Sequence, residues 1–264
     1  MKVVVLGGSG EIGSRVVANL RNREIGTVAD AERATGVDTY TGNGLKDAID
    51  GADAVVDCTN IATTKAPKAI DFFTTSARTI AKAARDTGVK RLVVVSIVNV
   101  DDPKVNAKLG YYQGKTAQEK TYRDTAADGT LAIVRTTQWY ELGRQILDRA
   151  RFGPVALVPH MKCQPLAARE AAKVVADAVT ATEAADIEVA GPEVLDIFDI
   201  ATLIARKEGR PRWVRGIDYG GPAIRDGGLL PRGEYLTAHT TMKEWIEGHP
   251  DPHPPSVEGS TPDR

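Results

Sequence analysis

Lys2-Val3-Val4-Val5-Leu6-Gly7-Gly8-Ser9-Gly10-Glu11-Ile12-Gly13 decides the fold. Val3 to Leu6 is a short β-branched run without polar alternation, the pattern of a strand buried on both faces. GxxGxxG spacing follows at once, where a chain leaving a strand must turn tightly into a helix. Ile12, Val16, Val17 and Leu20 then share one helical face. A helix that opens this way presents unpaired N–H groups and its positive dipole end to whatever lies over the turn. With glycines that let backbone approach closely, it is a seat for a pyrophosphate.

Outward from this turn, apolar bursts alternate with amphipathic stretches. Strands are expected at 26–30, 53–58, 91–97 and 131–135, with weaker ones at 155–158 and 187–190. Helices are expected over 66–86, closed by Gly88, and over 111–127. Strand and helix in alternation demand crossover connections, hence an α/β fold: a Rossmann-type, doubly wound, mostly parallel sheet. After about Trp139 the rhythm loosens and prolines punctuate the chain. The expected organisation is a nucleotide-binding part at 1–140, a smaller irregular substrate-shaping part of the same unit at 141–247, and a proline-rich tail at 248–264. The tail has too little apolar surface to offset the entropy of ordering it.

Composition narrows the function. The 264 residues are 42% hydrophobic and 26% charged, ordinary for a globular enzyme. Thirty-four basic against thirty-five acidic residues leave a net charge of −1, so no nucleic-acid partner is expected. The longest apolar-rich stretch, 92–100, is about half of the ~20 residues a membrane helix needs. The apolar run before Gly7 is too short for a secretory signal. Cys58 and Cys163 form no CxxC pair and read as small buried hydrophobes in a reducing, cytoplasmic setting. His249 and His253 are four apart, but prolines at 250, 252 and 254 forbid the helix that would make them a metal pair, and no metal is expected. GxSxG and GxxxxGK[ST] are both absent.

An acid about 20 residues beyond a nucleotide turn, closing the second strand, is placed to take ribose hydroxyls, and Asp30 stands there. Its charge repels a 2′-phosphate and leans the choice towards NAD. Arg33 and Arg15 are the basic residues near enough in sequence to favour the phosphate instead. Tyr111-Tyr112-Gln113-Gly114-Lys115 contains YxxxK, which on a helix puts Tyr111 and Lys115 on one face. A phenol with a pKa of ~10 is a poor base at neutral pH, but a neighbouring ammonium favours its anion. Such a phenol passes a proton to or from a substrate oxygen while a nicotinamide carries the hydride. Ser96, at the carboxyl end of the strongest strand, is placed to bond the same oxygen. Trp139, Tyr140, Trp213 and Tyr219 are candidates to line a substrate pocket, with Tyr112 and Gln138 beside them, or are ordinary core residues.

The glycine turn resembles the short-chain dehydrogenase/reductase superfamily, and more narrowly its atypical, NmrA-like NAD(P)-binding branch. Further matching stretches are 51–57 (Gly-Ala-Asp-Ala-Val-Val-Asp), 92–96 (Leu-Val-Val-Val-Ser), 133–141, 164–168 and 189–193. The resemblance covers about residues 1–247, loosely at 207–232. It implies Gly7, Ser9, Gly10, Ile12 and Gly13 at the pyrophosphate, Asp30 at the ribose and Asn43 near the adenine. It further implies Cys58, Thr59 and Asn60 along the cofactor, and Tyr111 with Lys115 as the catalytic pair, Lys115 also touching the cofactor. Cys58-Thr59-Asn60 departs from the Asn-Asn-Ala-Gly-like stretch of classical members. The expected activity is an NAD(P)-dependent oxidoreductase acting on a carbonyl or secondary alcohol of a small molecule. The alternatives are a non-catalytic NAD(P)-binding redox sensor with a protein partner, and an epimerase that retains its cofactor.

Overall fold

The computed structural model describes residues 1–248; the proline-rich stretch at 249–264 lies outside them. In chain order the elements are β1 (Lys2–Leu6), α1 (Glu11–Asn22), β2 (Thr27–Ala31), α2 (Leu45–Ile49), β3 (Ala54–Asp57) and α3 (Ala66–Asp86). Then come β4 (Arg91–Ile97), α4 (Pro103–Asn106), α5 (Gly110–Thr125), β5 (Leu131–Thr136), α6 (Glu141–Arg149), β6 (Arg151–Phe152) and β7 (Val155–Pro159). The last are β8 (Lys162–Cys163), α7 (Ala168–Thr180), β9 (Ile187–Ala190), β10 (Leu195–Asp196), α8 (Ile197–Glu208), β11 (Trp213–Ile217), α9 (Pro222–Arg225), β12 (Leu236–Thr237) and α10 (Met242–Glu247).

Seven strands form one sheet in the order β12-β9-β5-β4-β3-β1-β2, every neighbouring pair parallel. The chain leaves β1 towards β2 on one side and returns to β3 on the other. That reversal opens a crevice at the carboxyl ends of β1 and β3, where ligands of open parallel sheets bind. Val3, Val4, Val5 and Leu6 are fully buried, as an unalternating run predicts. Val3 and Val5 face the core under α1 and α7; Val4 and Leu6 face the core under α2 and α3. Each such side chain contributes about 1.5–3 kcal/mol on burial. A third core holds α6 and α8 against the small parallel-and-antiparallel sheet β11-β7-β6. Among the described residues no helix is long and apolar enough to cross a membrane.

α3 and α5 pack side by side on the face of the sheet that carries Tyr111 and Lys115, and Gly114 sets their spacing. A Cβ on Gly114 would stand 2.7 Å from the Ala69 Cβ, 2.8 Å from the Ala69 carbonyl carbon and 2.8 Å from the Phe73 ring. A mid-helix glycine costs about 1 kcal/mol relative to alanine; here it is held by close helix contact. Gly114→Ala therefore lowers stability, because overpacking costs about 1–3 kcal/mol against that ~1 kcal/mol gain. A fall in the denaturant midpoint at unchanged slope checks this, and a rise would refute it.

Candidate active site

The glycine turn closes on its neighbours without room to spare. A Cβ at Gly13 would lie 2.1 Å from the Gly7 carbonyl oxygen, and one at Gly7 2.9 Å from the Cys58 carbonyl oxygen. One at Gly8 would lie 2.4 Å from the Asp30 Cβ. Gly7 adopts a positive φ of 74° and hydrogen-bonds through its N–H to the Ala31 carbonyl. Gly10 is different: it is exposed, and among the described residues its Cβ would meet only the Gly7 oxygen, at 3.3 Å. Packing among the described residues does not demand glycine there. Ile12 is buried in the core beneath the turn.

The end of β2 is more acidic than the sequence indicated. Asp30 is exposed and lies against Gly8, with Arg21 Nη2 3.2 Å from its carboxylate. Glu32, which sequence reasoning passed over, reaches back to accept a hydrogen bond from the Ser9 hydroxyl. Arg33 is exposed on the short 3-10 turn that follows. Arg15 is not the phosphate partner its position allowed: it is buried on α1 and paired with Glu11 at 2.6 Å. Asn43 is exposed, its carbonyl accepting from the Asp38 N–H in the loop before α2.

At the carboxyl ends of β3 and β4 the chemical groups converge. Cys58 turns its thiol into the core, where burial pushes it far above the ordinary thiol range, so only its backbone borders the glycine turn. Asn60 is exposed, and its Oδ1 accepts a 2.8 Å hydrogen bond from the Tyr111 hydroxyl. The Phe73 ring lies edge-on to Tyr111, centroids 5.6 Å apart, and Lys115 Nζ stands 4.9 Å over the same ring. Lys115 is buried and donates to the Val95 carbonyl at 2.6 Å and to Gln118 Oε1. Burial lowers its ammonium below the usual lysine range, opposed by Asp57, Glu119 and Cys58. Burial raises the Tyr111 phenol, with Arg149 lowering and Asp57 raising it further from afar. Ser96 is buried and its Oγ finds no hydrogen-bond partner among the described residues. An orphaned buried hydroxyl is costly, and such groups gather at sites that expect a ligand.

The expected pocket residues divide. Tyr112 is buried and its hydroxyl accepts from Gln138 Nε2 at 2.7 Å, while Gln138 Oε1 is buried without a partner among the described residues. Thr59 is tied to Asp57 through both its N–H and its hydroxyl. Trp139 donates to the Thr136 hydroxyl and leans on the first core. Tyr140 is wholly buried against Trp245 and donates to the Thr240 carbonyl, so its ring is core and not pocket wall. Trp213 is exposed on β11, stacked on Arg212, and Tyr219 is exposed beyond that strand. Neither has a hydrogen bond or ring contact with Tyr111 among the described residues. Sequence also missed Asn99, which adopts a positive φ of 55° and donates to the Gly228 and Leu230 carbonyls. It pins the 220–232 segment over α4, around a cavity of about 640 Å³ lined by Lys104, Lys108, Pro222 and Arg232.

Residues 7–141 match the family model described as NAD(P)H-binding. A search of curated proteins returned no match. Among solved structures, a short-chain dehydrogenase/reductase superfamily protein from Agrobacterium tumefaciens with bound NAD superposes with a TM-score of 0.65 at 17% identity, covering 94% of this chain and 95% of that one. A dTDP-4-dehydrorhamnose reductase from Bacillus anthracis in complex with NADP gives 0.67 at 12% identity, covering 94% and 99%. A nucleoside-diphosphate-sugar epimerase from Staphylococcus aureus gives 0.67 at 13% identity, covering 94% and 100%. The glycine cradle closing β1 and the match over its first half agree: the chain belongs to the NAD(P)H-binding family, on the Rossmann-like fold of short-chain dehydrogenases/reductases.

Proposed function

We propose that the protein is an NAD(P)H-dependent reductase of a carbonyl group on a small molecule, with NADH the preferred cofactor. The observation that carries this reading is the Tyr111 hydroxyl, set beside the crevice with Lys115 one helical turn behind it and Ser96 on the adjoining strand end. The residues present fit a dinucleotide: Gly7 and Gly13 leave no room for side chains, and Gly10 leaves its space to a ligand. Gly7, Ser9, Gly10 and Gly13 would hold the pyrophosphate, Asp30 and Asn43 the adenosine, and Thr59, Asn60 and Lys115 the nicotinamide half. Reduced nicotinamide, when bound, supplies a hydride.

The chain supplies the proton. The Tyr111 phenol is protonated at neutral pH, as an ordinary tyrosine is, and burial disfavours its anion further, which suits a proton donor. In the resting protein its hydrogen points at Asn60 Oδ1. A substrate carbonyl oxygen would take the place of that acceptor and accept the proton as its carbon is reduced. The phenolate left behind is stabilised by the Lys115 ammonium. The Ser96 hydroxyl, which has no partner among the described residues, would donate to the same oxygen.

The test is a screen of NADH and NADPH oxidation against ketones, aldehydes and quinones. Stoichiometric loss of reduced cofactor supports the reductase and separates it from an epimerase, which returns its hydride. No turnover on any member of the panel, with nucleotide binding intact, would favour a redox sensor. Asp30→Ser should shift binding towards NADPH, because it removes the carboxylate that repels a 2′-phosphate and leaves Arg33 nearby. A wild type that binds NADPH more tightly than NADH would overturn the preference.

A further inference from the structure

Asp57 closes β3 and is 1% exposed, and of the groups assigned to substrate or cofactor it bonds Thr59 alone among the described residues. Its two oxygens take four donors. Oδ1 accepts from the Thr59 N–H at 2.9 Å and the Thr59 hydroxyl at 2.6 Å. Oδ2 accepts from Gln118 Nε2 at 2.8 Å and the Tyr122 hydroxyl at 2.7 Å. The first pair fixes the turn that carries Asn60, the residue facing the Tyr111 hydroxyl. The second pair grips α5, the helix that carries Tyr111 and Lys115. Gln118 completes the circuit, since its Oε1 accepts from Lys115 Nζ while its Nε2 donates to Asp57. A neutral amide thus links a buried cation to a buried anion.

The other acid near Lys115 is already committed. Glu119 is held by Arg135 in a two-point contact, at 2.9 Å from Nε and 2.5 Å from Nη2. The groups facing Lys115 are Asp57 and Cys58 from the end of β3, Glu119 from its own helix, Phe73 from α3 and the Val95 carbonyl from β4. Arg135 on β5 reaches only as far as Glu119, and Tyr122 faces Asp57. A cation removed from water needs a counter-charge. Asp57 supplies it at one remove.

We propose that Asp57 is a positioning residue: through Gln118 it keeps Lys115 an ammonium, and through Thr59 it holds Asn60 opposite Tyr111. This rests on the reading of Tyr111 and Lys115 as the proton-handling pair. A carboxylate that only tied off a strand end would leave the charge state of Lys115 alone.

The decisive experiment follows the ¹³Cε resonance of Lys115 with pH in lysine-labelled full-length protein, without nucleotide or substrate, the signal assigned by its loss in Lys115→Arg. In Asp57→Asn the titration midpoint should fall by about 1–3 pH units, because an opposite charge that favoured the ammonium is gone. Gln118→Leu should lower it too, by less, since the ammonium loses an acceptor while Asp57 stays. If Asp57→Asn does not fold, Gln118→Leu carries the test. A midpoint unchanged in the folded variant overturns the proposal. The readout needs no turnover, so a wild type inactive on every substrate would sink the reductase and leave this result standing. On a confirmed substrate, Asp57→Asn should lower kcat roughly tenfold to 100-fold with a smaller change in cofactor KM, the pattern of misplacement and not of lost binding.

Discussion

Tyr111→Phe should keep the fold and the affinity for reduced nucleotide, and lose most of the turnover on any carbonyl substrate that the wild type reduces. The ring itself stays: its edge contact with Phe73, centroids 5.6 Å apart, does not involve the hydroxyl. What disappears is the donor now satisfied by Asn60, and Asn60 is exposed, so water can replace it at little cost. A positioned acid or base contributes about 10²–10⁴-fold, and the loss should be of that order. Lys115→Ala should behave differently, weakening both nucleotide binding and turnover, because that side chain is assigned to both. Steady-state kinetics beside calorimetric titration with NADH separates the patterns. Undiminished turnover in Tyr111→Phe would remove Tyr111 from the mechanism.

Gly10→Val should abolish nucleotide binding in a protein that is still folded. Among the described residues a Cβ at residue 10 meets one atom, at 3.3 Å, so the cost to folding is small. Over the helix start, where the pyrophosphate would rest, a branched side chain excludes the ligand and covers the N–H groups that would bind it. Gly13→Val is the contrasting change. There a Cβ would overlap the Gly7 carbonyl oxygen at 2.1 Å, so the turn itself must open and stability falls with binding. Calorimetry with NADH and NADPH, read beside the thermal midpoint, distinguishes the two. Millimolar-range affinity retained by Gly10→Val would place the dinucleotide elsewhere.

The sheet was legible wherever a strand is long and buried on both faces. The run at 91–97 and the helix at 66–86 were read to the residue, and the alternation of strand with helix led to the parallel architecture. β6, β8, β10 and β12 were not legible, because two residues carry no periodicity. The glycine turn and YxxxK were visible as local spacing. Asp57 was not, since the donors that give it meaning come from 61 and 65 residues further along the chain. Trp213 and Tyr219 were singled out by residue type, which carries no information about which side of the molecule an aromatic occupies. Glu32 stood two residues past the acid that was sought, and nothing in the sequence showed that it bends back to Ser9.

On the proposed reading, the order of the strands separates the choice of nucleotide from the handling of the substrate oxygen. Asp30 rides on β2, at the outer edge of the sheet, while Ser96 rides on β4, with β1 and β3 between them. Three inter-strand steps of ~4.8 Å put these strands roughly 14 Å apart. Residues so far apart, with no shared partner, contribute independently to free energy. Preference for one nucleotide over the other and turnover of the substrate would then be modular quantities, and drift or redesign at the β2 edge of the sheet would leave the chemistry at β4 unchanged.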